Sequence, residues 1–418
     1  MSKKLFVVAV AMVLLGTIAY AELQNVEVGG KIRIRGSWLD YDNDSDIVWT
    51  EQRTRLNVKA DFTDEVTAFI ELDSYDIWGE DFRSRDYVTG VDSRQVSTDD
   101  VEVYQAYIEA REMWGTPLRL RVGRQEMTLG SGWLVGTNDK RYNFTGLSWD
   151  AVRLGYVSDT VTVDAFMAKL AENFSDFFED DVDFYGVYGS YTGLEDIVID
   201  AYWLYLRDDA VRYKADLHTV GLRGAGKVGA FDFEAEVAYQ FGDKDDCTWW
   251  IFGVDRDFNA WGVNLEVGYT FDISWQPRVY AGFAYLEGDD YDCKWFDVDE
   301  YDYAFNRLFS NWEYSDFLDD GGILTNAFVY RLGVGVQPTE AIKLGLEGQY
   351  YVLDEDIVRG CLWWRESNDE LGWEIQLTGA YQYSEDLVFR AGYSHFFGEE
   401  VLEDLDFNYL FAETEISF

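Results

Sequence analysis

The chain has 418 residues, with 34 Lys and Arg against 79 Asp and Glu, a net charge of -45. A surface this acidic excludes nucleic acid and anionic membrane surfaces as partners. His occurs only at 218 and 395, which starves hydrolytic and metal chemistry of its usual side chain; no catalytic residue, metal site or cofactor is expected.

In chain order, the first segment stands outside the fold. Lys3 and Lys4, the apolar run from Leu5 to Ile18 and the small-residue site Ala19-Tyr20-Ala21 read as a secretory signal peptide over 1–21. Residues 22–418 then form one exported domain. No later run is long enough to cross a bilayer as a helix. Aromatic residues make up 17 % of the chain and only 3 residues are Pro; that balance suits pleated strands, from whose central positions Pro is excluded.

Segments of about ten residues alternate apolar and polar side chains, the dyad pattern of strands that face lipid on one side and a polar lumen on the other. Phe231, Phe233, Ala235, Val237, Tyr239 and Phe241 share one face, for example, with Asp232, Glu234, Glu236 and Gln240 on the other. The pattern predicts eighteen strands, near 28–39, 52–62, 66–74, 102–111, 118–125, 149–156, 160–169, 183–191, 197–206, 218–228, 231–241, 260–271, 276–286, 326–337, 342–353, 373–383, 387–396 and 407–418. Connections alternate between short (63–65, 157–159, 229–230, 272–275, 338–341, 384–386) and long (75–101, 126–148, 242–259, 287–325, 354–372). The expected fold is an all-β transmembrane antiparallel barrel in the outer membrane, with short periplasmic turns and long extracellular loops. Trp38, Trp114, Trp275 and Trp373 fall at strand ends, where interfacial aromatics belong.

The polar face is too heavily charged for a dry core, and eighteen strands enclose more space than side chains fill, so the apolar face should meet lipid and the charged face water. By parity, Lys31, Arg33, Arg35, Arg53, Arg55, Lys59, Arg119, Arg121, Arg153, Arg223, Arg278, Arg331, Lys343 and Arg390 point inward. So do Asp61, Glu71, Asp73, Glu109, Asp164, Asp200, Asp232, Glu234, Glu236, Glu266, Glu347, Glu374, Glu413 and Glu415. The wall is thus far more basic than the chain as a whole. Clustered Arg and Lys favour anions in a pore. The Lys31, Arg33, Arg35 ladder beside Arg53, Arg55 and Lys59 is self-repelling unless water, inward loops or anionic solute screens it. The same residues also fit structural ion pairs with Asp61, Glu71 and Asp73, and both readings stand.

Cys247, Cys293 and Cys361 fall in long connections, where one disulfide and one free thiol, or no pairing, are open. Acidic clusters at 289–292, 297–300 and 319–320 could take Ca²⁺ through oxygen ligands, although none has EF-hand spacing. Two functions fit the chain: a passage for small or polymeric anionic solutes, and a structural or adhesive barrel plugged by the long connection 287–325. A barrel enzyme lacks an evident nucleophile and base beside either His.

One stretch carries a resemblance. Leu120-Arg121-Val122-Gly123-Arg124-Gln125-Glu126, Leu129-Gly130-Ser131-Gly132-Trp133-Leu134-Val135-Gly136 and Trp149-Asp150-Ala151-Val152-Arg153-Leu154 resemble the alginate-export porin family. Tyr104-Gln105-Ala106-Tyr107, the strand with Thr219, Gly221 and Arg223, and Ser394-His395-Phe396-Phe397-Gly398 do so as well. The resemblance implies an eighteen-strand outer-membrane porin with an arginine-rich, anion-attracting passage, in which Arg124 and Arg153 are pore residues. Arg124 has outward parity, so that role requires a bulge at Gly123.

Overall fold

The computed structural model describes residues 23–41, 45–79, 101–137, 146–172, 181–209, 214–246, 254–289, 302–319, 324–359, 366–402 and 405–418. The expected signal peptide, the three cysteines and most of the acidic clusters lie outside these residues.

Nineteen strands are hydrogen-bonded in one sheet. They are β1 (Asn25–Tyr41), β2 (Ser45–Thr63), β3 (Val66–Ile77), β4 (Glu102–Ala110), β5 (Leu118–Gln125), β6 (Trp149–Val157), β7 (Val161–Ala171), β8 (Val182–Leu194), β9 (Ile197–Asp208), β10 (Ala215–Val228), β11 (Phe231–Asp246), β12 (Val254–Thr270), β13 (Arg278–Leu286), β14 (Asp302–Tyr303), β15 (Ala327–Thr339), β16 (Ile342–Arg359), β17 (Glu366–Gln382), β18 (Leu387–Gly398) and β19 (Asp406–Ser417). β14 is a two-residue piece lying parallel to β12, while β13 pairs directly with β15. The remaining eighteen form an antiparallel barrel that closes where β1 meets β19, from Lys31↔Ser417 to Tyr41↔Phe407. Closure removes the free strand edges that hydrocarbon does not tolerate.

Each expected strand coincides with one barrel strand. The ends differ on the extracellular side: β11 and β12 run on to Asp246 and back from Val254, and β16 and β17 to Arg359 and from Glu366, so the expected loops 242–259 and 354–372 are largely sheet. Asp243, Lys244 and Asp245 pair there with Asp257, Arg256 and Asp255. Above the lipid both faces meet water, so the ladder continues while the apolar–polar alternation that marks it in sequence lapses.

The outward face is apolar. Leu332, Ile375, Leu377 and Leu410 are exposed side chains of this kind. Trp114 and Trp275 stand exposed in short turns, and Trp373 stacks on Tyr350 with ring centroids 4.1 Å apart. The inward face differs from the expectation in its extracellular half. There Phe166, Ala168, Phe184, Leu204, Ala238, Ala260, Ala284, Val329 and Phe396 point inward and are almost fully buried in a second, internal apolar core.

Candidate functional site

The inner wall between β19 and β3 is built as four ribbons of charge. β1 and β2 carry Lys31, Arg33, Arg35, Arg53 and Arg55, with Arg33 directly opposite Arg53 and Lys31 opposite Arg55. The repulsion this would create is relieved from both flanks. On β19, Glu413 accepts from Arg33 at 2.8 Å and Arg35 at 2.7 Å, and Glu415 meets Lys31 at 2.9 Å. On β3, Asp73 accepts two bonds from Arg53, at 2.9 and 2.6 Å, and Glu71 lies 3.5 Å from Arg55. Tyr104 fills the space above the two arginines, with the Arg55 guanidinium 4.1 Å from its ring centroid, and donates to Glu126 at 2.7 Å. Lys59 pairs with Asp61 near the periplasmic end.

The same pairing continues around the barrel. Arg119 and Arg153 share Asp164, Arg121 takes Glu109, Arg223 takes Asp200 and Glu234, Arg278 bridges Asp232 and Glu266, Arg331 meets Glu266, and Arg390 reaches Glu413 and Glu415. Sharing is uneven, and that sets the local sign. Where Arg33, Arg35 and Arg390 converge on Glu413, with Glu51 3.9 Å from Arg35 and Glu415 shared by Arg390 and Lys31, four cations meet three carboxylates and the wall keeps excess positive charge. Where one Arg223 serves Asp200, Glu234 and, at 3.9 Å, Glu236, it keeps excess negative charge.

The positive excess borders a cavity of about 520 Å³. Its charged lining is Lys31, Arg33, Arg35, Lys343 and Arg390 against Glu413 and Glu415, five cations to two carboxylates. Lys343 is exposed and makes no ion pair among the described residues. The rest of the lining is uncharged, small at Gly345, Gly379, Ala380 and Ala391 and apolar at Leu344 and Phe411.

Two connections fold inward and fill the extracellular half of the lumen. Residues 126–137 carry Met127, Trp133, Leu134 and Val135, all nearly inaccessible to solvent, and 302–319 carry Phe305 and Tyr314. So apolar a segment costs too much in water, and the barrel interior is the place that buries it. The two segments are locked to each other by a bridge between Val135 and Phe309, with Phe309 N donating to Leu134 O and Gly136 N to Phe309 O, both at 2.9 Å. Gly136 is required at that crossing, because a Cβ there would stand 2.4 Å from the Asn311 Cβ. Trp133 Nε1 donates to the Tyr314 hydroxyl at 2.8 Å, which donates to Asn264 on β12 at 2.9 Å. Burial pushes the Tyr314 phenol up to about 12, so it remains a donor at neutral pH.

Wall side chains anchor this plug. Gln240 pairs with both backbone groups of Asn306, at 2.6 and 2.7 Å. Glu374 accepts from Ser315 Oγ at 2.6 Å, from Asp316 N at 3.1 Å and from Tyr351 at 2.9 Å. Trp149 meets Phe309 edge-on at 4.5 Å, and Phe317 packs on Phe396 and Phe407. These anchors lie on β6 and on β11 to β19, and on the charged ribbons Arg55 of β2 meets Glu126 of the first inward segment at 3.3 Å.

One expected site residue is placed elsewhere. β5 pairs with both neighbours without a register shift, so the glycine at 123 supplies no bulge and Arg124 lies on the outer face. Gly123 has φ +126° because a Cβ would stand 2.2 Å from the Ala106 carbonyl oxygen: it answers a close approach of backbones rather than turning a side chain inward. Arg124 forks onto Asp150 at 2.8 and 2.9 Å. Asp319, from the acidic clusters, is fully buried and accepts from Arg307 at 2.5 Å, Tyr314 N at 2.7 Å and Leu324 N at 2.8 Å, which occupies the oxygens a cation would use. His218 stacks between Tyr205 and Phe241 on the outer face, and His395 lies 2.8 Å from Asn408. Glu51, Glu126, Arg307 and the inward fold of residues 126–137 escaped the sequence reading, whereas 302–319 lies within the connection 287–325 that the sequence marks as able to plug the lumen. The apolar density of Met127 to Val135, inside a supposed extracellular loop, was the available signal.

The family model described as Alginate export matches residues 26–405. No curated protein matches the chain. Solved structures of similar fold include Pseudomonas aeruginosa OccK8 (OprE), with 15 % identity, TM-score 0.58, and 94 % of this chain and 98 % of that one covered. Acinetobacter baumannii OccAB4 has 13 % identity, TM-score 0.59, and 96 % and 100 % covered; Pseudomonas aeruginosa OpdL has 12 % identity, TM-score 0.61, and 94 % and 99 % covered. At these identities the likeness speaks to the fold.

Proposed function

This chain belongs to the alginate export family and is an outer-membrane porin barrel, and on that premise we propose that it conducts anions along the β19–β1–β2–β3 side of the lumen. The passage runs beside the β19–β1–β2–β3 ribbons. The cavity with five cations and two carboxylates forms its periplasmic end. That charge imbalance is the observation that carries the reading. Pairing lowers the field of most wall arginines, and the oversubscribed Glu413 leaves a net positive stretch to attract a carboxylate, sulfate or phosphate. A polyuronate suits such a track from the periplasmic side, since the acidic exterior repels it from outside.

Reversal potentials of refolded protein in planar bilayers under a salt gradient test this. An anion-sided potential is expected; a potential at or beyond the cation side would refute it. The tightly packed aromatic plug favours a second reading, a structural or adhesive barrel with a closed lumen. That reading predicts no stepwise conductance from correctly folded protein, and the same recording separates the two.

A further inference from the structure

The outer face carries a line of charge that the porin function does not use. Following cross-strand partners from β5, Arg124 pairs with Asp150, Asp150 with Lys169, Lys169 with Asp183, Asp183 with Arg207 and Arg207 with Asp216. Six consecutive strands thus present a charge at one register, with alternating sign. Ion pairs run along it: Arg124 to Asp150, Lys169 to Asp183 at 2.9 Å, and Lys169 to Glu172 at 2.9 Å.

The line is not level. With about 2.5 Å of height per residue in a tilted strand, position above the periplasmic strand end gives depth. Asp216 stands twelve residues above Val228 (228 − 216), about 30 Å. Lys169 stands eight above Val161 (169 − 161), about 20 Å. Arg124 stands only six above Leu118 (124 − 118), about 15 Å.

One rung beneath the upper part of the line, Tyr185, Tyr205, His218 and Phe241 form a stack with centroid spacings of 5.7, 4.3 and 5.1 Å. Such an aromatic row marks the membrane–water boundary. Beneath Arg124 and Asp150 there are only three apolar rungs, the outward Leu118, Leu120 and Val122. On the far wall β16 offers Ile342, Leu344, Leu346, Gly348, Tyr350 and Val352, ten residues (352 − 342) or about 25 Å. A charge facing the middle of a full-thickness bilayer costs about 2–4 kcal/mol, whereas thinning costs fractions of a kcal/mol per Å.

We propose that the β4–β6 sector is a lipid-headgroup contact surface at which the outer leaflet dips, with Arg124 and Asp150, and Lys169 on the adjoining β7, engaging the headgroups directly. The strands themselves are short here, 9, 8 and 9 residues, so the barrel rim descends with the boundary. An alternating row presents both donors and acceptors, which matches zwitterionic or cation-bridged phosphate headgroups better than a purely cationic patch would.

Spin labels test the dip. Val122→Cys and Leu346→Cys, in protein whose Cys247, Cys293 and Cys361 are Ser, place labels four residues above their strand ends (122 − 118 and 346 − 342). In vesicles, the balance of oxygen against nickel-chelate accessibility should put the Val122 label about 5 Å nearer the headgroups than the Leu346 label. Adding Arg124→Leu and Asp150→Leu should move the Val122 label deeper and leave the Leu346 label unchanged. Equal depths in the parent protein would overturn the proposal. A Val122 label shielded from both reagents would also overturn it, in favour of contact with a second copy.

Discussion

Arg35 on β1 and Glu413 on β19 lie 378 residues apart in the chain and 2.7 Å apart in the wall. The pair exists only because the first strand closes against the last. Glu413 also holds Arg33 and Arg390, so a single carboxylate neutralises part of a ladder that its own hairpin partner β2 makes more positive.

Glu413→Ala should therefore cost more than an ordinary surface pair. Removing a buried partner leaves uncompensated charge, worth about 3–5 kcal/mol, and here Arg33, Arg35 and Arg390 lose it together. Urea unfolding in vesicles, followed by gel mobility of the folded barrel, should show a loss of this order. A midpoint within error of the parent would mean that lumen water already screens the three arginines.

Selectivity should respond most where the cation has no carboxylate of its own. Lys343→Glu turns the cavity's balance from five against two to four against three and breaks no described ion pair. The reversal potential should move toward cations with little change in thermal stability. Arg53→Glu should shift selectivity too, but with destabilisation, because Asp73 is left facing a like charge.

The plug should behave as one unit. Trp133→Ala empties a buried indole site and removes the donor to Tyr314, a change that costs about 3–5 kcal/mol in well-packed cores. Larger or noisier single-channel conductance is expected, with barrel strand content by infrared spectroscopy unchanged. Asp319→Asn should loosen the same unit by freeing Arg307, seen as faster protease cleavage within 302–319. If neither variant alters conductance, the passage does not run past the plug.

Gly123→Val should impair folding. The new side chain meets the Ala106 carbonyl oxygen and must hold φ near +126°, a strained conformation worth about 1–3 kcal/mol. Refolding yield in detergent is the direct measure, and a yield equal to the parent's would show that β4 and β5 can separate without harm.

The sequence by itself determined the barrel. Two-residue alternation is local, forced on every strand by lipid on one side, so Phe231 to Phe241 announced its faces before any partner was known. Strand ends were legible where alternation stopped at the lipid boundary and illegible where β11, β12, β16 and β17 continue into water. Only the tertiary structure decided what the inward charges do. Whether Arg35 is a bare pore cation or half of an ion pair depends on which strand closes beside it and at what register. Coulomb energy is set by a distance of a few ångströms that 378 residues of sequence do not reveal. The same holds for Trp133: an apolar loop residue can be read locally as needing burial, but that the lumen supplies the site is a property of the closed barrel.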